Sequence, residues 1–388
     1  MRVAILTPSF LPAYNGMTFS SLQHATMLSE LGHDVSIVAA CPEEHRGATS
    51  AFLQERGIGF LPTCVSGSGL VSRPIVGDVG SLVERIGRLE PHVVLVEGRF
   101  FWGYHIIPQL RERGVRIALI SHGSAPDRFE WSAGWALKAI AYRTYGLSHE
   151  RRVLGSLDSV AVLSSHEDSD RFRDARLYRR HGLEPVVIGN TSLEGVAGQV
   201  TRIGGTPGRL RLAVVGDMSP LKNQLAAIPL VEGNASVSFV RFYFPSENRY
   251  SMQVASRASE RGVTNIQYRT ALDREGVMRT LGDIDLMLCL SRTEAQPLSL
   301  IDGLACGVPF LSRPVGCMPS MKGGVVCEVG EMREVIRRLA GDAVAMSDLV
   351  QQAKRFFQST HSEAAVKPAL SALLSAALPD EKVGRRER

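Results

Sequence analysis

Short apolar runs that alternate with helical patterns constrain this chain more than any other feature of its sequence. The runs are continuous and rich in β-branched side chains, as in Val3–Leu6, Val35–Ala39 and Val93–Val96. Strands buried on both faces of a parallel sheet have this pattern. Helical segments such as Ser20–Leu31, which ends before Gly32, separate the runs and complete βαβ units. The pattern therefore predicts an α/β fold with parallel sheets.

The alternation stops in a stretch rich in Gly and Thr and then starts again, with strands predicted at Leu212–Val215 and Ile284–Leu290. A length of 388 residues suits two domains. Two Rossmann-like domains are therefore predicted, with ligands bound outside the carboxyl ends of the strands. The predicted segments are a first domain over 1–190, a linker over 191–209, a second domain over 210–345 and C-terminal helices over 346–388.

The composition excludes several classes of function. The net charge of +5 is spread along the chain, whereas a nucleic-acid-binding protein normally has a basic stripe. The six cysteines form no C-x-x-C pair, so buried free thiols in a reducing compartment are predicted and zinc sites are not. No apolar stretch is long enough for a membrane-spanning helix. We therefore expect a cytoplasmic protein without a bound metal.

The segment from Leu290 to Pro309 carries the densest chemical signal. An apolar strand leads into a loop with Glu294, and a helix is predicted to begin at Pro297. Asp302 falls inside that apolar helix, where a carboxylate needs a partner, either ribose hydroxyls or a basic side chain. Backbone N–H groups of Gln296 and Leu298 are suited to a phosphate. Two acids in this arrangement are able to hold both ends of a sugar nucleotide.

Three further positions lie just past predicted strands. Lys222 follows the first strand of the second half and Gly216, so it is able to reach an anionic oxygen. His122 follows a strand end that faces the ligand crevice, where it can accept a proton or bind a sugar hydroxyl. Asn15-Gly16 opens the first helix, either as a phosphate site or as a plain turn capped by Thr18.

These residues resemble the family 4 retaining glycosyltransferases, which have the GT-B fold. The family signature is Glu-x7-Glu followed by Ala-x-Ala-Cys-Gly-x-Pro, and this chain has Glu294-x7-Asp302 followed by Gly-Leu-Ala-Cys-Gly-Val-Pro. The segment Glu30-Leu-Gly-His-Asp-Val35 is also similar to the first domain of that family. The resemblance implies two Rossmann-like domains that face a cleft, with C-terminal helices that pack back on the first domain.

The resemblance also implies a role for each matching residue. Gly16 faces the donor diphosphate, His122 contacts the donor sugar, and Lys222 neutralises the leaving group together with the turn at Gly216. Glu294 holds sugar hydroxyls, and Asp302 binds the ribose. Backbone contacts with the donor come from the segment that follows Glu294, namely Ala295, Gln296, Pro297 and Leu298, in which all residues except the proline offer an N–H group. Family members use no metal and no cofactor besides the nucleotide-diphosphate sugar.

The chain departs from the family pattern at three places. Asp217 stands where the family has an arginine facing the diphosphate, so it must turn away or be compensated, for example by Arg292. Asp302 is one methylene shorter than the usual glutamate. The family's next Gly-Asp-Gly stretch is replaced by residues 243–248.

We therefore predict an enzyme that transfers a sugar from a UDP- or GDP-linked donor to an acceptor hydroxyl, with retention of configuration. The acceptor is a glycan, a lipid-linked saccharide or a small molecule. The alternatives are a GT-B-like sugar-nucleotide epimerase, a glycosyl transferase that uses phosphate, and a catalytically weak protein that binds a nucleotide sugar or a partner transferase.

Two weaker interpretations concern the segment after His122. Asp127, Arg128 and Glu130 are further candidates for the same loop. The aromatic and basic stretch over 129–145 is predicted to be a core helix. It is alternatively a peripheral contact with the inner face of a membrane.

Overall fold

The computed structural model describes two compact units within residues 1–10, 15–67, 75–98, 102–123, 152–164 and 174–378, apart from the side chain of Tyr104. Unit 1 comprises Met1–Gly189 and Val366–Arg388, and unit 2 comprises Asn190–Ala365. The sequence placed the start of the second domain at 210. In the structure, residues 190–209 belong to unit 2.

The predicted linker is attached to unit 2 by apolar packing. It contains a short helix at Glu194–Ala197, and Leu193, Val196 and Val200 pack on a buried core of that unit. The carbonyl oxygen of Thr201 would lie only 2.3 Å from a Cβ atom added at Gly282. Few but well-placed apolar side chains are therefore enough to hold a segment whose composition is typical of a linker.

In the part of the chain that the structure describes, unit 1 forms a seven-stranded parallel sheet with the order β3-β2-β1-β4-β5-β6-β7. Its strands are β1 Arg2–Thr7, β2 Asp34–Ala40, β3 Ile58–Thr63, β4 Val93–Glu97, β5 Arg116–Ser121, β6 Ser159–Val162 and β7 Val186–Val187. Its helices are α1 Gly16–Glu30, α2 Glu43–Gln54, α3 Val79–Gly87, α4 Gly103–Glu112 and α5 Asp174–Arg180.

Unit 2 repeats this topology in its six-stranded parallel sheet, which has the order β10-β9-β8-β11-β12-β13. The strands are β8 Leu210–Val215, β9 Val237–Tyr243, β10 Ile266–Arg269, β11 Leu286–Cys289, β12 Phe310–Ser312 and β13 Gly324–Val326. Its helices are α6 Glu194–Ala197, α7 Ile228–Val231, α8 Arg249–Glu260, α9 Arg274–Thr280, α10 Leu298–Ala305, α11 Val329–Gly341 and α12 Ala343–Phe356, followed by α13 Glu363–Ala377, which continues into unit 1.

Local sequence explains where the elements begin and end. The side chain of Asn15 accepts a hydrogen bond from the N–H of Thr18, so Asn15 rather than Thr18 caps α1. Gly32 has φ +81° directly after that helix, as expected for a C-terminal glycine. Leu212 and Val214 pack into one core while Ala213 packs into another, so β8 is covered on both faces. These features confirm the predicted α/β architecture of each unit.

The C-terminal segment is divided between the units. Helix α12 and the π-helical turn Phe357–His361 belong to unit 2, and the chain joins unit 1 at Val366. Leu370, Leu373 and Leu374 of α13 are buried, and the hydroxyl of Ser159 donates to the carbonyl oxygen of Leu373. The apolar stripe of this helix therefore packs on the body of the protein, as the sequence predicts.

Candidate functional site

The strand order places a topological switch point in each sheet. In unit 1 the strand after β1 lies on one side of β1 in the sheet, and the strand after β4 lies on the opposite side. The same reversal occurs between β8 and β11 in unit 2. Open α/β sheets bind ligands outside the carboxyl ends of the strands at such points. The predicted residues Gly16 and His122 follow strands β1 and β5, and Lys222 and Glu294 follow β8 and β11. Each unit thus has candidate residues at its own switch point.

In unit 2 the structure brings Lys222 and Glu294 together. The Nζ atom of Lys222 lies 2.5 Å from Oε1 of Glu294, and the hydroxyl of Ser291 donates to the same oxygen at 2.6 Å. The side chain of Glu294 is 11% exposed and that of Lys222 is 32% exposed. Residues 72 positions apart therefore form one partly accessible ion pair at the switch point.

Backbone contacts hold the two loops of this ion pair in place. The N–H of Arg292 donates to the carbonyl oxygen of Leu221 at 2.8 Å, and the side-chain amide of Asn223 donates to that of Leu290 at 3.2 Å. Gly216 has φ +141°, and its N–H donates to the carbonyl oxygen of Tyr243. Because these bonds join neighbouring strand ends, the Lys222 side chain starts from a fixed backbone.

The other side of the Glu294 loop is closed by a glycine. A Cβ atom added at Gly316 would lie 1.8 Å from the carbonyl oxygen of Glu294, and the φ of Gly316 is +53°. The neighbouring N–H of Cys317 donates to the carbonyl oxygen of Ala295. Both the conformation and the close backbone approach require glycine at this position.

Lys222 is charged in this site. Burial lowers the pKa of its ammonium group, but the carboxylate of Glu294 and the charge of Asp217 raise the pKa by more, so the net shift is upward. Asp217 itself is exposed to solvent. Asp217 therefore faces solvent and adds to the negative potential around Lys222.

Asp302 has a basic side chain as its partner. Nε and Nη2 of Arg274 donate to its two carboxylate oxygens at 2.8 and 2.7 Å, and the hydroxyl of Ser192 donates at 2.5 Å. The side chains of the ion pair are 8% and 9% exposed. Both carboxylate oxygens are already bonded within unit 2, so this geometry gives no support to the predicted contact with a ribose.

The side chain of Gln296 is also engaged inside unit 2. Its Oε1 accepts a hydrogen bond from the N–H of Asn190 at 2.6 Å, and the Asn190 amide donates to the Gln296 carbonyl oxygen. Pro297 precedes the first residue of α10, Leu298. The N–H groups of Leu300 and Ile301 donate to the carbonyl oxygen of Pro297, so it is the N–H groups before Leu300 that are suited to an anion.

In unit 1 the structure adds two residues to His122 that the sequence analysis missed. Glu97 is the last residue of β4, and its Oε2 atom lies 2.6 Å from Nε2 of His122. Its other oxygen lies 2.6 Å from Nδ1 of His24 in α1. The signal in the sequence was an acid directly after the apolar run Val93–Val96, beside the strand that carries His122.

An acid therefore lies in direct contact with His122. Glu97 is fully buried, and His24 is 1% exposed, whereas the side chain of His122 is 13% exposed. Burial by itself would raise the pKa of the Glu97 carboxyl, but the charges and hydrogen bonds of the two histidines lower it to about 2. Glu97 is an ionised carboxylate that holds two imidazoles.

Gly16 is the exposed first residue of α1. Within the described ranges no group of three or more His, Cys, Asp or Glu side chains is placed to hold a metal ion, and no helix there is long and apolar enough to cross a membrane. Asp127, Arg128, Glu130 and the stretch 129–145 lie outside the described residues.

Solved structures share this architecture over nearly the whole chain. HepE from Anabaena, in complex with UDP, is 13% identical, with a TM-score of 0.70 over 97% of this chain and 100% of that chain. Sucrose-phosphate synthase from Thermosynechococcus elongatus is 13% identical, with a TM-score of 0.72 over 96% and 98%. A glycosyltransferase from Rickettsia africae is 12% identical, with a TM-score of 0.71 over 98% and 99%.

The chain has the GT-B fold. No protein-family model matches the chain, and no curated protein matches it in sequence. At identities of 12–13% the likeness establishes the architecture of the chain, which is the architecture predicted from its sequence.

Proposed function

We propose that this protein transfers a sugar from a nucleotide-diphosphate sugar to an acceptor hydroxyl. The observation that carries the proposal is the Lys222–Glu294 pair at the switch point of unit 2, in a GT-B fold. A structural neighbour with this fold, HepE, has been crystallised with UDP-glucose. A charged lysine and a largely buried carboxylate at that position suit the diphosphate and the sugar hydroxyls of such a donor.

Each residue of the pair has a distinct part in the proposed reaction. Lys222 donates to a diphosphate oxygen and stabilises the negative charge that grows there as the glycosidic bond breaks. Glu294 accepts hydrogen bonds from sugar hydroxyls and so orients the anomeric carbon. Ser291 holds the Glu294 oxygen that faces Lys222, which limits the rotation of the carboxylate.

The finer assignments are also part of the proposal. Transfer proceeds with retention, without a metal or a cofactor besides the co-substrate, as in the family that the sequence resembles. The donor base is uracil or guanine, and His122, whose side chain is 13% exposed, contacts the donor sugar. The acceptor is a glycan, a lipid-linked saccharide or a small molecule that binds unit 1. Gly16, Gly216 and the backbone of 295–298 complete the donor contacts. The reaction takes place in the cytoplasm, with peripheral membrane contact for a lipid-linked acceptor.

The first test is binding and turnover with a panel of nucleotide sugars. We expect UDP or GDP to bind the wild-type chain, with binding weakened in Lys222→Ala and unchanged in the exposed control Lys322→Ala. Transfer to an acceptor panel, followed by analysis of the anomeric configuration, tests the reaction and its stereochemistry. Equal nucleotide binding by wild type and Lys222→Ala would remove the proposed donor site.

A second candidate function is nucleotide-sugar binding without turnover. It is favoured by the Arg274–Asp302 ion pair. This pair engages the carboxylate that, in the family that the sequence resembles, would bind the ribose. Tight nucleotide binding with no transfer across the acceptor panel supports this alternative. Release of an epimerised sugar from the donor alone supports the epimerase instead.

A further inference from the structure

The buried group His24–Glu97–His122 joins three elements of unit 1 at the carboxyl edge of its sheet. Glu97 ends β4, His122 follows β5, and His24 lies within α1. The two carboxylate oxygens of Glu97 are each 2.6 Å from a histidine nitrogen. A fully buried carboxylate with a partner on each oxygen has no freedom to rotate towards a ligand.

The hydrogen-bonding capacity of Glu97 determines which nitrogens carry protons. An ionised carboxylate only accepts hydrogen bonds, so the ring nitrogens facing it must both be donors. His122 therefore carries its proton on Nε2, and His24 carries one on Nδ1. In a neutral His122 ring the second nitrogen, Nδ1, then has a free lone pair and acts as an acceptor.

The backbone around Glu97 is built for close packing. Gly98 follows with φ +86°, and a Cβ atom there would lie 2.7 Å from the terminal methyl of Met17 in α1. The Gly98 N–H donates to the carbonyl oxygen of Ile120 at 2.8 Å, which ties the end of β4 to the end of β5. These contacts fix the distance between Glu97 and His122.

Exposure separates the roles of the three side chains. His24 and Glu97 are 1% and 0% exposed, so neither can meet a ligand, whereas His122 keeps 13% of its side chain accessible. Among these three side chains, His122 is therefore the one that a ligand at this edge of the sheet can reach.

We propose that Glu97 is a positioning residue, which with His24 holds His122 in the Nε2–H tautomer, so that Nδ1 accepts a hydrogen bond from a substrate hydroxyl. This inference rests on the proposed function for the identity of the substrate. A carboxylate that accepts a hydrogen bond from one nitrogen of a histidine makes the other nitrogen a stronger acceptor. Glu97 has this effect on Nδ1 of His122.

The decisive measurement is the tautomer of His122 in the full-length protein. Long-range proton–nitrogen correlation spectra of a histidine-labelled sample distinguish the two tautomers, and the His122→Gln variant assigns the signal. We expect the Nε2–H form in the wild type. In Glu97→Gln the amide offers one oxygen and one NH2 group, so one of the two histidines must lose its acceptor. An Nδ1–H tautomer of His122 in the wild type overturns the proposal.

Kinetics then separates positioning from a merely structural role. We expect Glu97→Gln to lower kcat about 100-fold with an unchanged KM for the nucleotide sugar. Glu97→Asp, which keeps the carboxylate, should recover part of the loss. The control Glu112→Gln, whose side chain is 68% exposed, should retain wild-type kinetics. A shifted tautomer with unchanged kcat in Glu97→Gln contradicts the proposal.

The two levels of the proposal fail in different ways. If the wild type transfers no sugar from any donor, the proposed function fails, while the histidine spectra still decide what Glu97 does to His122. If Glu97→Gln does not fold, the wild-type spectrum and Glu97→Asp still decide the tautomer. A wild type that is active with His122 in the Nδ1–H form rejects only the role of Glu97.

Discussion

Glu97 in unit 1 and Glu294 in unit 2 occupy similar places in two sheets of like topology, yet their surroundings differ. Glu97 is the last residue of its strand and is fully buried between two imidazoles. Glu294 comes five residues after Cys289, the end of β11, and its loop brings the carboxylate to partial exposure beside Lys222. A few residues of loop thus decide whether a carboxylate stays inside the protein.

The difference bears on what each carboxylate can do. Glu97 is fully buried and each of its oxygens already has an imidazole partner, so its oxygens act on protein groups alone. The partner of Glu294 is a flexible, partly exposed ammonium group that can turn to an anionic ligand. We therefore assign positioning to Glu97 and ligand binding to Glu294, and the following experiments test this contrast.

The largest expected effect is on turnover when the unit 2 pair is broken. Lys222→Ala and Glu294→Gln should each lower kcat by about 10²–10³-fold, because each removes a charge aimed at the donor. Stability should fall by about 1–3 kcal/mol, less than for a fully buried pair, because Lys222 is partly exposed and the Glu294 side chain keeps the hydroxyl of Ser291 as a partner. Steady-state kinetics and urea unfolding measure the two effects. Wild-type rates in both variants would remove the site assignment, and Lys322→Ala serves as the control.

The next effect is on stability and concerns the buried Arg274–Asp302 pair. Asp302→Asn should destabilise unit 2 by about 3–5 kcal/mol, because Arg274 then stays buried without its carboxylate. Urea unfolding measures the loss, and the double variant Asp302→Asn/Arg274→Met should recover part of it. If Asp302→Asn unfolds like the wild type but loses nucleotide affinity, Asp302 belongs to the ligand site after all.

Acid should act on the two units in different pH ranges. Burial lowers the pKa of His361 in unit 2 to about 4 from its usual 6.5, although its Nδ1–H donates to the carbonyl oxygen of Asn190. The unfolded chain therefore takes up this proton first. The contribution of neutral His361 to the free energy of unfolding is therefore fully present above pH 6.5. It decreases by about 3 kcal/mol as the pH falls to 4.

The contribution of Glu97 to the stability of unit 1 is lost in a lower pH range. Its folded pKa of about 2 lies below the usual 4.5, so this stabilisation is present above pH 4.5 and is lost as the pH falls towards 2. Hydrogen exchange measures the loss of protection in unit 2 between pH 7 and pH 5. We expect this loss to be larger in the wild type than in His361→Gln. An identical pH dependence in both proteins contradicts the role of His361.

The smallest effect concerns the reactivity of the cysteines. Burial, followed by the nearby charge of Glu294, raises the pKa of the Cys289 thiol to about 11, and burial raises that of Cys306 to about 12. Cys64 in unit 1 is exposed. We expect one fast-reacting thiol per chain with a maleimide at pH 7.5, and none in Cys64→Ser. Rapid labelling of Cys289 indicates a more open site in unit 2.

Much of the fold was predictable because the signals are local. Continuous apolar runs correctly indicated strands such as β1, β4 and β8, whose residues are buried whichever neighbour they pair with. The short strands β12 and β13, of three residues each, were not predicted, since three residues carry no periodicity. The assignment of residues 190–209 to unit 2 was not evident from the sequence, because their few apolar side chains find partners only in the folded unit.

The sequence by itself determined that the chain forms two parallel α/β units and that Lys222, Glu294 and His122 follow strand ends, because both conclusions depend on patterns within a few residues. Only the tertiary structure decided the partners. It brought His24 to Glu97 across 73 positions, and Arg274 to Asp302 across 28. The physical reason is that a buried charge is satisfied by whichever group the strand order and helix packing bring within hydrogen-bond distance, and spacing along the chain does not encode that order.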